Sequence, residues 1–507
     1  MKPPLAVLLF SFATAATASV GLYTSKPRLD SIVSRGALIR FSFTPFVNEV
    51  DERDVTVDFS AAPATIESIA GRDFNCLVSG STARCTRALF PKNTVGSIDV
   101  DVRMPSSLMG GRVVVVSTIT AASGSTYTWS PWVIVPSTFL VTNTNSEGAG
   151  SLRDAIAAAN AACTDRQPCE IEFQTSGTIA PQTPLPAITA QRLSIDGQKQ
   201  VILEGNQMPS AGLTVTGSDI ITISGFQIQN WGGAGILLNV SPRTSLGATI
   251  ADNDLHGNLR GLMSLGSAFL YAHDNVISNN QRSGVWIESG YYPAVYENTI
   301  DGNGASGVYF GPGCQFGAAD ENEIRGNRDF GVAISPQSKW IEVRGNSMKG
   351  NGQLGIDFAL DLVTPNVADD STRPVPNAPV ITSAQYDSTY RKTVIRGHVD
   401  LRKPADVGYY SPLVDVYSSA GLDAHGMAQG EQMLNYRADY GNAVKIDSNG
   451  DFIYIVDADL TGRYISATYT RFYGLGKGVT STALQPRPQY YESWQSTSEM
   501  SNPVRVP

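Results

Sequence analysis

A short motif of polar and apolar positions recurs through the middle of the chain. Each copy has an asparagine, an apolar residue two positions later and a second asparagine three positions after that, as in residues 298–303. The first asparagine of successive copies stands at positions 253, 275, 298, 322 and 346, which is a nearly constant step. A period of about 23 residues is typical of a solenoid, in which stacked coils together bury an apolar side that no single coil can bury alone.

Stacked coils place equivalent residues one above another, about 4.8 Å apart. The apolar positions then form one interior column, Leu255, Ile277, Ile300, Ile324 and Met348. The first asparagines form a ladder whose amides can bond to the coils above and below, namely Asn253, Asn275, Asn298, Asn322 and Asn346. Leucine-rich repeats have a similar length, but their leucine template and helical return are missing here. The repeat therefore predicts a right-handed parallel β-helix.

The segments on both sides of the repeat alternate apolar and polar residues, which predicts strands. We predict an all-β chain with a β-sandwich at 19–136, the β-helix with an N-terminal cap at 137–362, a proline-rich linker at 363–377 and a second β-sandwich at 378–507. The cap contains a predicted helix over 151–160, with Ser151 as N-cap and Asp154 at the capping-box position.

From about residue 138 to the C-terminus, the order of motifs resembles bacterial secreted β-helix proteins of the CSLREA type. The resemblance rests on the entry segment 141–160, on 171–173, 185–188 and 193–197, and on the ending 497–503; the CSLREA peptide itself is absent. Residues 74–85 resemble the disulfide hairpin of bacterial Ig-like surface repeats. These resemblances imply an exported β-helix protein with an N-terminal Ig-like domain.

Charge and hydropathy exclude some partners. Only 16% of residues are charged, the net charge is −9, and there is no run of lysine or arginine, so no nucleic-acid partner is predicted. Residues 1–18 read as a signal peptide, with Lys2, an apolar run over 5–12 and a small-residue cleavage site at 16–18. No later stretch is apolar enough to predict a membrane span, so we expect a secreted or cell-surface protein.

The five cysteines fit an oxidising compartment. Cys76 with Cys85 and Cys163 with Cys169 are close enough in sequence to close two small disulfide loops, which leaves Cys314 free. Histidine is scarce and does not cluster with the cysteines, so no zinc site is predicted. No cofactor is assigned, although calcium stays open. Asp357, in a Gly-Ile-Asp motif, is interpreted as a structural residue at the end of the β-helix.

Aromatic residues mark the first candidate binding surface. After each regularly spaced glycine, the first and third residues point inward and the second points outward, which puts Trp286 and Tyr309 in the same outward position on adjacent coils. Tyr291 and Tyr292 lie in the loop between them and Glu288 ends the first strand. Exposed aromatic rings with a nearby carboxylate are suited to binding sugar rings. The alternative is that a loop or the C-terminal domain covers this face.

Acidic residues directly precede the asparagine ladder and form the second candidate, Asp252, Asp274, Glu297 and Glu321. If their carboxylates align at coil spacing, they must share a proton, as glycosidase acids do, or hold a cation between them. The alternative is that these side chains turn away into water.

Two classes of function remain. A non-catalytic, adhesin-like exported protein that binds a polysaccharide or a cell-surface glycan fits regular repeats with few converging charges. The alternative is a secreted carbohydrate-active enzyme, either a polysaccharide lyase or a glycoside hydrolase, acting on the outer face of the β-helix. Because the fold alone implies no activity, no catalytic residue is assigned.

Overall fold

The computed structural model describes residues 20–26, 31–108, 110–217, 219–368, 375–401, 413–435, 444–475 and 493–507. The predicted signal peptide at 1–18 and part of the predicted linker, 369–374, lie outside these residues. The chain forms two compact units: one holds the described residues to Thr138 together with Thr164–Glu170, and the other holds Phe139–Cys163 and the described residues from Ile171 onward. Within the described ranges, no helix has the length and apolar character needed to cross a membrane.

The first unit consists of strands in mostly antiparallel sheets. The strands are β1 (Val20–Lys26), β2 (Ser31–Ile32), β3 (Leu38–Val47), β4 (Glu52–Ser60), β5 (Thr65–Arg72), β6 (Asn75–Ser79), β7 (Thr82–Phe90), β8 (Thr94–Val95), β9 (Ser97–Arg103), β10 (Gly111–Val114), β11 (Val116–Thr120), β12 (Thr126–Trp129) and β13 (Trp132–Val135). One sheet has the order β1-β3-β9-β5 with β8 on β3, a second has the order β12-β11-β4-β7-β6, and a smaller one is β10-β13-β2.

Apolar residues at alternate strand positions fill the space between the two larger sheets. Phe41 and Phe43 of β3 and Val57 and Phe59 of β4 are buried. The ring centroids of Phe43 and Phe59 are 5.0 Å apart. Because β3 and β4 belong to different sheets, the core lies between the sheets and the unit is a β-sandwich.

The cysteines pair as predicted. Cys76 in β6 is bonded to Cys85 in β7. Cys163 and Cys169 are also disulfide-bonded, and Cys314 is a free, buried thiol. Burial raises the pKa of the Cys314 thiol to about 12, so this cysteine stays protonated and unreactive at neutral pH.

The second unit begins at Phe139, within strand β14 (Ser137–Val141), and continues with the predicted capping helix, α1 (Leu152–Ala162). The Ser151 hydroxyl accepts a hydrogen bond of 3.2 Å from the backbone N–H of Asp154, which confirms the predicted N-cap. The helix buries the apolar face that contains Leu152 and Ile156.

The β-helix follows as a long series of parallel strands. They are β15 (Cys169–Phe173), β16 (Gly177–Ile179), β17 (Arg192–Glu204), β18 (Leu213–Val215), β19 (Asp219–Gln229), β20 (Ala234–Ala251), β21 (Asp254–His256), β22 (Arg260–His273), β23 (Val276–Ser278), β24 (Val285–Glu288), β25 (Ala294–Tyr296), β26 (Thr299–Asp301), β27 (Val308–Phe310), β28 (Ala318–Asp320), β29 (Glu323–Arg325), β30 (Val332–Ile334), β31 (Glu342–Arg344), β32 (Ser347–Lys349) and β33 (Ile356–Phe358).

Parallel pairing between successive coils forms three sheets. The first is β18-β20-β22-β24-β27-β30-β33, the second is β17-β19-β20-β22-β25-β28-β31, and the third is β16-β17-β19-β21-β23-β26-β29-β32. The longest strands bend round a corner and take part in two sheets. The result is the predicted right-handed parallel β-helix.

The predicted interior column lies in the third sheet. All five of its side chains have no exposed surface, including Ile300 and Ile324, which pair directly between β26 and β29. The repeated glycine stands beside this column. A Cβ atom at Gly307 would come within 2.6 Å of the Ile324 side chain and 2.8 Å of the Gly331 carbonyl, so a side chain at this corner would collide with the next coil.

Buried asparagines join the coils through their side chains. The Oδ1 atom of Asn298 accepts hydrogen bonds of 3.0 and 2.9 Å from the backbone N–H and the Nδ2 of Asn275. The backbone N–H and the Nδ2 of Asn298 in turn donate to the Oδ1 atom of Asn322, at the same distances. The second asparagine of each motif repeats this arrangement in a parallel ladder of Asn258, Asn280, Asn303, Asn327 and Asn351. Each coil therefore satisfies buried donors of the coil before it.

The C-terminal strands form a second sandwich. They are β34 (Val380–Asp387), β35 (Lys392–His398), β36 (Leu413–Ser419), β37 (Gln432–Met433), β38 (Asp451–Val456), β39 (Tyr464–Leu475), β40 (Ser493–Thr497) and β41 (Val504–Arg505). One sheet is β34-β35-β38 and the other is β37-β36-β39-β40 with β41 on β39. Ile395, Val416 and Tyr469 belong to their shared core.

The C-terminal sandwich docks on the last coils of the β-helix. The backbone N–H of Thr497 donates to the Ile341 carbonyl at 3.1 Å, and the hydroxyl of Thr497 accepts from the backbone N–H of Val343 at 2.9 Å. Strand β40 thereby follows β31 along its edge.

Candidate functional site

Trp286 in β24 and Tyr309 in β27 are paired residues on neighbouring coils. Both side chains are half-buried, whereas Val285 and Ile287, on either side of Trp286, have no exposed surface. The alternation of the strand thus directs both rings away from the core, at the position the sequence pattern indicated.

Trp286 lies between two neighbours along the helix axis. The centroid of the Tyr309 ring is 4.2 Å from the centroid of Trp286, with the planes tilted by 46°. The guanidinium carbon of Arg260, from the preceding coil, lies 4.5 Å from the centroid of Trp286, which is a cation–π contact. We call the set of Arg260, Trp286 and Tyr309 the aromatic column.

Glu288 is held against this column. Its Oε1 atom accepts a hydrogen bond of 3.0 Å from the indole N–H of Trp286. That bond fixes one carboxylate oxygen and orients the whole group beside the rings. The charge of Glu288 also acts on Tyr309, because burial and then this carboxylate raise the pKa of the phenol. Tyr309 is therefore a neutral hydroxyl at neutral pH.

Arg260 was missed by the sequence analysis. Burial lowers the pKa of its guanidinium, with a further contribution from nearby Arg282, although an arginine stays charged at neutral pH. Its Nε atom is buried and has no hydrogen-bond partner among the described residues. The only sequence signal was its place directly before Gly261, on the coil that precedes Trp286.

Tyr291 and Tyr292 take part in a different stack of rings. Tyr292 stacks on Phe269 with centroids 5.8 Å apart and on Phe316 with centroids 4.8 Å apart, and Phe316 stacks on Trp340 at 4.8 Å. Tyr291 meets Tyr292 and Phe316 edge to face. The sequence does contain a signal for this second stack, because an aromatic residue recurs at the interval of one coil, at Tyr292, Phe316 and Trp340. The sequence analysis did not use this recurrence.

The acidic column consists of turn residues. All four have left-handed backbone conformations, with φ between 55° and 57°, and all four side chains are exposed. Asp252 forms an ion pair of 2.8 Å with Lys199, and Asp274 bonds to His273 at 2.7 Å. The equivalent position on the next coil is Gly345, with φ of 65°. The feature that these positions share is thus a left-handed backbone turn directly before the asparagine ladder. The four carboxylate side chains lie on the solvent-exposed surface.

A buried group of charges lies where the last coils meet the C-terminal sandwich. Arg344 donates two hydrogen bonds of 2.8 Å to the carboxylate of Asp415. Burial raises the pKa of Glu342 to about 7 and raises that of Asp320. Asp415 and Glu342 are buried in this contact, which joins two parts of one unit.

A family model described as "Right handed beta helix region" matches residues 211–361. Together with the stacked parallel strands, this match identifies the central region of the chain as a right-handed parallel β-helix. No curated protein matches the sequence, so the comparisons assign no activity.

Several solved structures align with parts of this chain at low identity. They include the Agl-KA catalytic domain (12% identity, 63% of this chain, 66% of that chain, TM-score 0.32). A second is the catalytic unit of a GH87 alpha-1,3-glucanase from Streptomyces thermodiastaticus (13% identity, 67% of this chain, 70% of that chain, TM-score 0.31). A third is BcpA, the major pilin subunit of Bacillus cereus (8% identity, 25% of this chain, 43% of that chain, TM-score 0.20). This chain therefore spans less than half of the length of BcpA. All three TM-scores are below 0.5, so these structures support no argument about function.

Proposed function

We propose that this chain is an exported, adhesin-like β-helix protein that binds a polysaccharide or a cell-surface glycan along the aromatic column. The observation that carries the proposal is the arrangement of Arg260, Trp286 and Tyr309 on successive coils, with Glu288 fixed at 3.0 Å from the indole N–H. Half-buried rings supply apolar contact, and the adjacent cation, carboxylate and phenol supply donors and acceptors for sugar hydroxyls.

Arg260 and Tyr309 pack against the two faces of the Trp286 ring. A ligand therefore contacts the outer edge of this ring. A glycan then lies across the coils, with Arg260 and Glu288 bonding its hydroxyls and the ring edges contacting its carbon atoms. Both charged groups are held by contacts with Trp286. Trp286 therefore organises the site as well as contacting the ligand.

Several further features support an extracellular place of action. The two disulfides are typical of oxidising compartments, residues 1–18 have the pattern of an export signal, and the resemblance to CSLREA-type secreted proteins and to bacterial Ig-like surface repeats points the same way. A surface protein of this kind needs a rigid scaffold that presents a fixed row of side chains, and a β-helix provides one.

A non-catalytic role is favoured over an enzymatic one. Glycoside hydrolysis requires two carboxyl groups that flank an accessible substrate. Among the described residues, the carboxyl groups with raised pKa, such as Glu342 and Asp357, are buried at the end of the β-helix. The carboxylate beside the aromatic column is Glu288, which accepts from the indole N–H of Trp286.

The test is binding of the full chain to a polysaccharide panel by calorimetry, followed by the variant Trp286→Ala. We expect a loss of affinity of at least tenfold, typical for an aromatic anchor. Tyr390→Ala is the matched control, because Tyr390 is a 73% exposed tyrosine of the C-terminal sandwich. Glu288→Gln should also weaken binding while keeping its hydrogen-bond acceptor for the indole.

Equal affinity of the Trp286→Ala variant and the wild type for a bound glycan contradicts the site. Release of reducing sugar or unsaturated product from the same polysaccharides contradicts the non-catalytic assignment. Circular dichroism of each variant separates lost binding from lost fold.

A further inference from the structure

Three carboxyl groups meet at the end of the β-helix, outside the aromatic column. Asp357 lies in β33, Asp361 lies in the turn after it, and Glu499 follows β40 of the C-terminal sandwich. One carboxylate oxygen from each lies within 4.8 Å of the others. In the part of the chain that the structure describes, no other group of three metal-ligating side chains is this close.

Asp357 has one oxygen atom that the protein leaves unsatisfied. Its side chain has no exposed surface, and its Oδ2 atom accepts a 2.9 Å bond from the backbone N–H of Leu362. Its Oδ1 atom is buried without a hydrogen-bond partner among the described residues. A buried carboxylate oxygen without a partner is costly, and the usual solutions are a shared proton or a metal ion.

Glu499 is held in place for the same cluster. Its Oε1 atom accepts bonds from the Phe358 N–H at 2.9 Å and the Thr364 hydroxyl at 2.7 Å, and its Oε2 atom accepts from the Thr364 N–H at 2.8 Å. Asp361 is exposed, and its Oδ1 atom lies 3.2 Å from the hydroxyl oxygen of Thr364. The cluster thus has two fixed, buried carboxylates and one on its solvent side.

The charges around the cluster have one sign. Burial, followed by repulsion from Glu499, raises the pKa of Asp357 to about 7. Burial likewise raises the pKa of Glu499. The charged neighbours that act on Asp357 are Glu499 and Asp361, both acidic, so the site calls for a cation.

We propose that Asp357, Asp361 and Glu499 form a calcium-binding site that joins the last coil of the β-helix to the C-terminal sandwich. The donors are all carboxylate oxygens, which Ca²⁺ prefers, and opposite oxygen ligands of one Ca²⁺ lie about 4.6–5.2 Å apart. Zinc prefers nitrogen and sulfur ligands, which this cluster lacks. Asp361 provides the route from solvent.

The location gives the ion a structural role. Asp357 and Glu499 are far apart in the sequence and belong to the two parts that dock here. An ion bound to both resists their separation, and stability then rises with the concentration of free calcium. Asp357, interpreted from sequence as a structural residue, keeps that role by acting as a ligand.

The experiment is scanning calorimetry of the full chain in EDTA and in 5 mM CaCl₂, with MgCl₂ at the same concentration as comparison. For a site of moderate affinity we expect calcium to raise Tm by on the order of 5 °C, and magnesium to raise it much less. Asp361→Asn, an exposed change, should abolish most of this shift. Asp457→Asn is the control, because the Asp457 side chain is 83% exposed and distant in sequence from the ligands.

Asp357→Asn gives an independent readout. It replaces a buried carboxylate ligand by a neutral amide of nearly the same shape, so calcium should no longer raise the Tm of this variant. Equal wild-type Tm values in calcium and EDTA, with no heat of binding in a calcium titration, overturn the proposal in favour of a shared proton. A calcium shift that persists in both variants places the ion elsewhere, and an equal shift with magnesium overturns the assignment to calcium.

Discussion

Gln429 of the C-terminal sandwich occupies the place of the next asparagine after Asn351. Its Oε1 atom accepts bonds from the backbone N–H and the Nδ2 of Asn351, at 2.9 and 3.3 Å. Asn351 accepts the same two bonds from Asn327, at 3.1 and 3.0 Å. The Nε2 atom of Gln429 returns a bond of 2.7 Å to the Asn351 carbonyl. A residue from outside the repeat thus ends the ladder with its donors satisfied.

Removing this cap should loosen the last coil first. Gln429→Ala leaves two buried donors of Asn351 without acceptors, at a cost of about 1–3 kcal/mol. We expect faster hydrogen exchange at the Asn351 amide and a lower Tm. Gln432→Ala is the control, since Gln432 is exposed in the same segment. If exchange at Asn351 is as slow in Gln429→Ala as in the wild type, the cap does not stabilise the ladder.

A charge in the interior column should be far more damaging than one on the surface. Ile300→Asp places an unpaired carboxylate between two coils, which should lower the free energy of unfolding by about 4 kcal/mol or more. Val276→Asp is the matched change, because Val276 lies on the same sheet but is 44% exposed. Urea unfolding measures both. Similar losses for the two variants would contradict the assignment of inward and outward positions.

The buried charge group around Arg344 should make stability depend on pH. The pKa of Glu342 is about 7 in the folded chain, against an ordinary value of 4.5. A carboxyl group with a raised folded-state pKa stabilises the fold when protonated, so its contribution is greatest below pH 4.5 and is lost as pH rises through 7.

The glutamine in the variant Glu342→Gln is neutral at every pH. The variant should therefore not lose stability at this position as the pH rises through 7. Relative to the wild type, the variant should gain about 1–3 kcal/mol of stability between pH 5 and pH 8. Urea unfolding at the two pH values provides the measurement, with Glu323→Gln as a control at an exposed glutamate. A difference between variant and wild type that is the same at both pH values would show that Glu342 does not titrate in this range.

The cysteines make a separate chemical prediction. Cys314 is buried and its pKa is about 12, so native protein at pH 8 should resist alkylation by iodoacetamide. After denaturation without reductant, mass spectrometry should find one alkylated cysteine, at Cys314. Labelling at Cys76, Cys85, Cys163 or Cys169 under those conditions would mean that a disulfide is missing.

The repeat made the β-helix predictable, because a residue that must face the next coil recurs at a fixed step. Ile300 and Asn298 could be assigned to the core and the ladder from that step alone, and the outward position of Trp286 followed from strand alternation. Arg260 could not be predicted, because its equivalent on other coils is not a cation and its contact with Trp286 depends on side-chain packing.

Contacts between distant segments were also beyond the sequence analysis. Gln429 lies 78 residues after its partner Asn351, in a segment without a repeat. Glu499 and Asp357 likewise meet only because the C-terminal sandwich docks on the last coil. A single sequence carries no signal that brings such pairs together, whereas periodicity carries a signal for every coil.

The constant step of the last coils has an evolutionary consequence. Asn298, Asn322 and Asn346 follow one another at the same interval, and Asn298 gives to Asn322 the same two bonds that Asn322 gives to Asn346. A duplicated coil inserted after Asn322 would accept bonds from the coil before it and supply donors to the coil after it. The repeat is therefore modular, because a whole coil added in this region leaves the bonds by which Gln429 ends the second ladder unchanged.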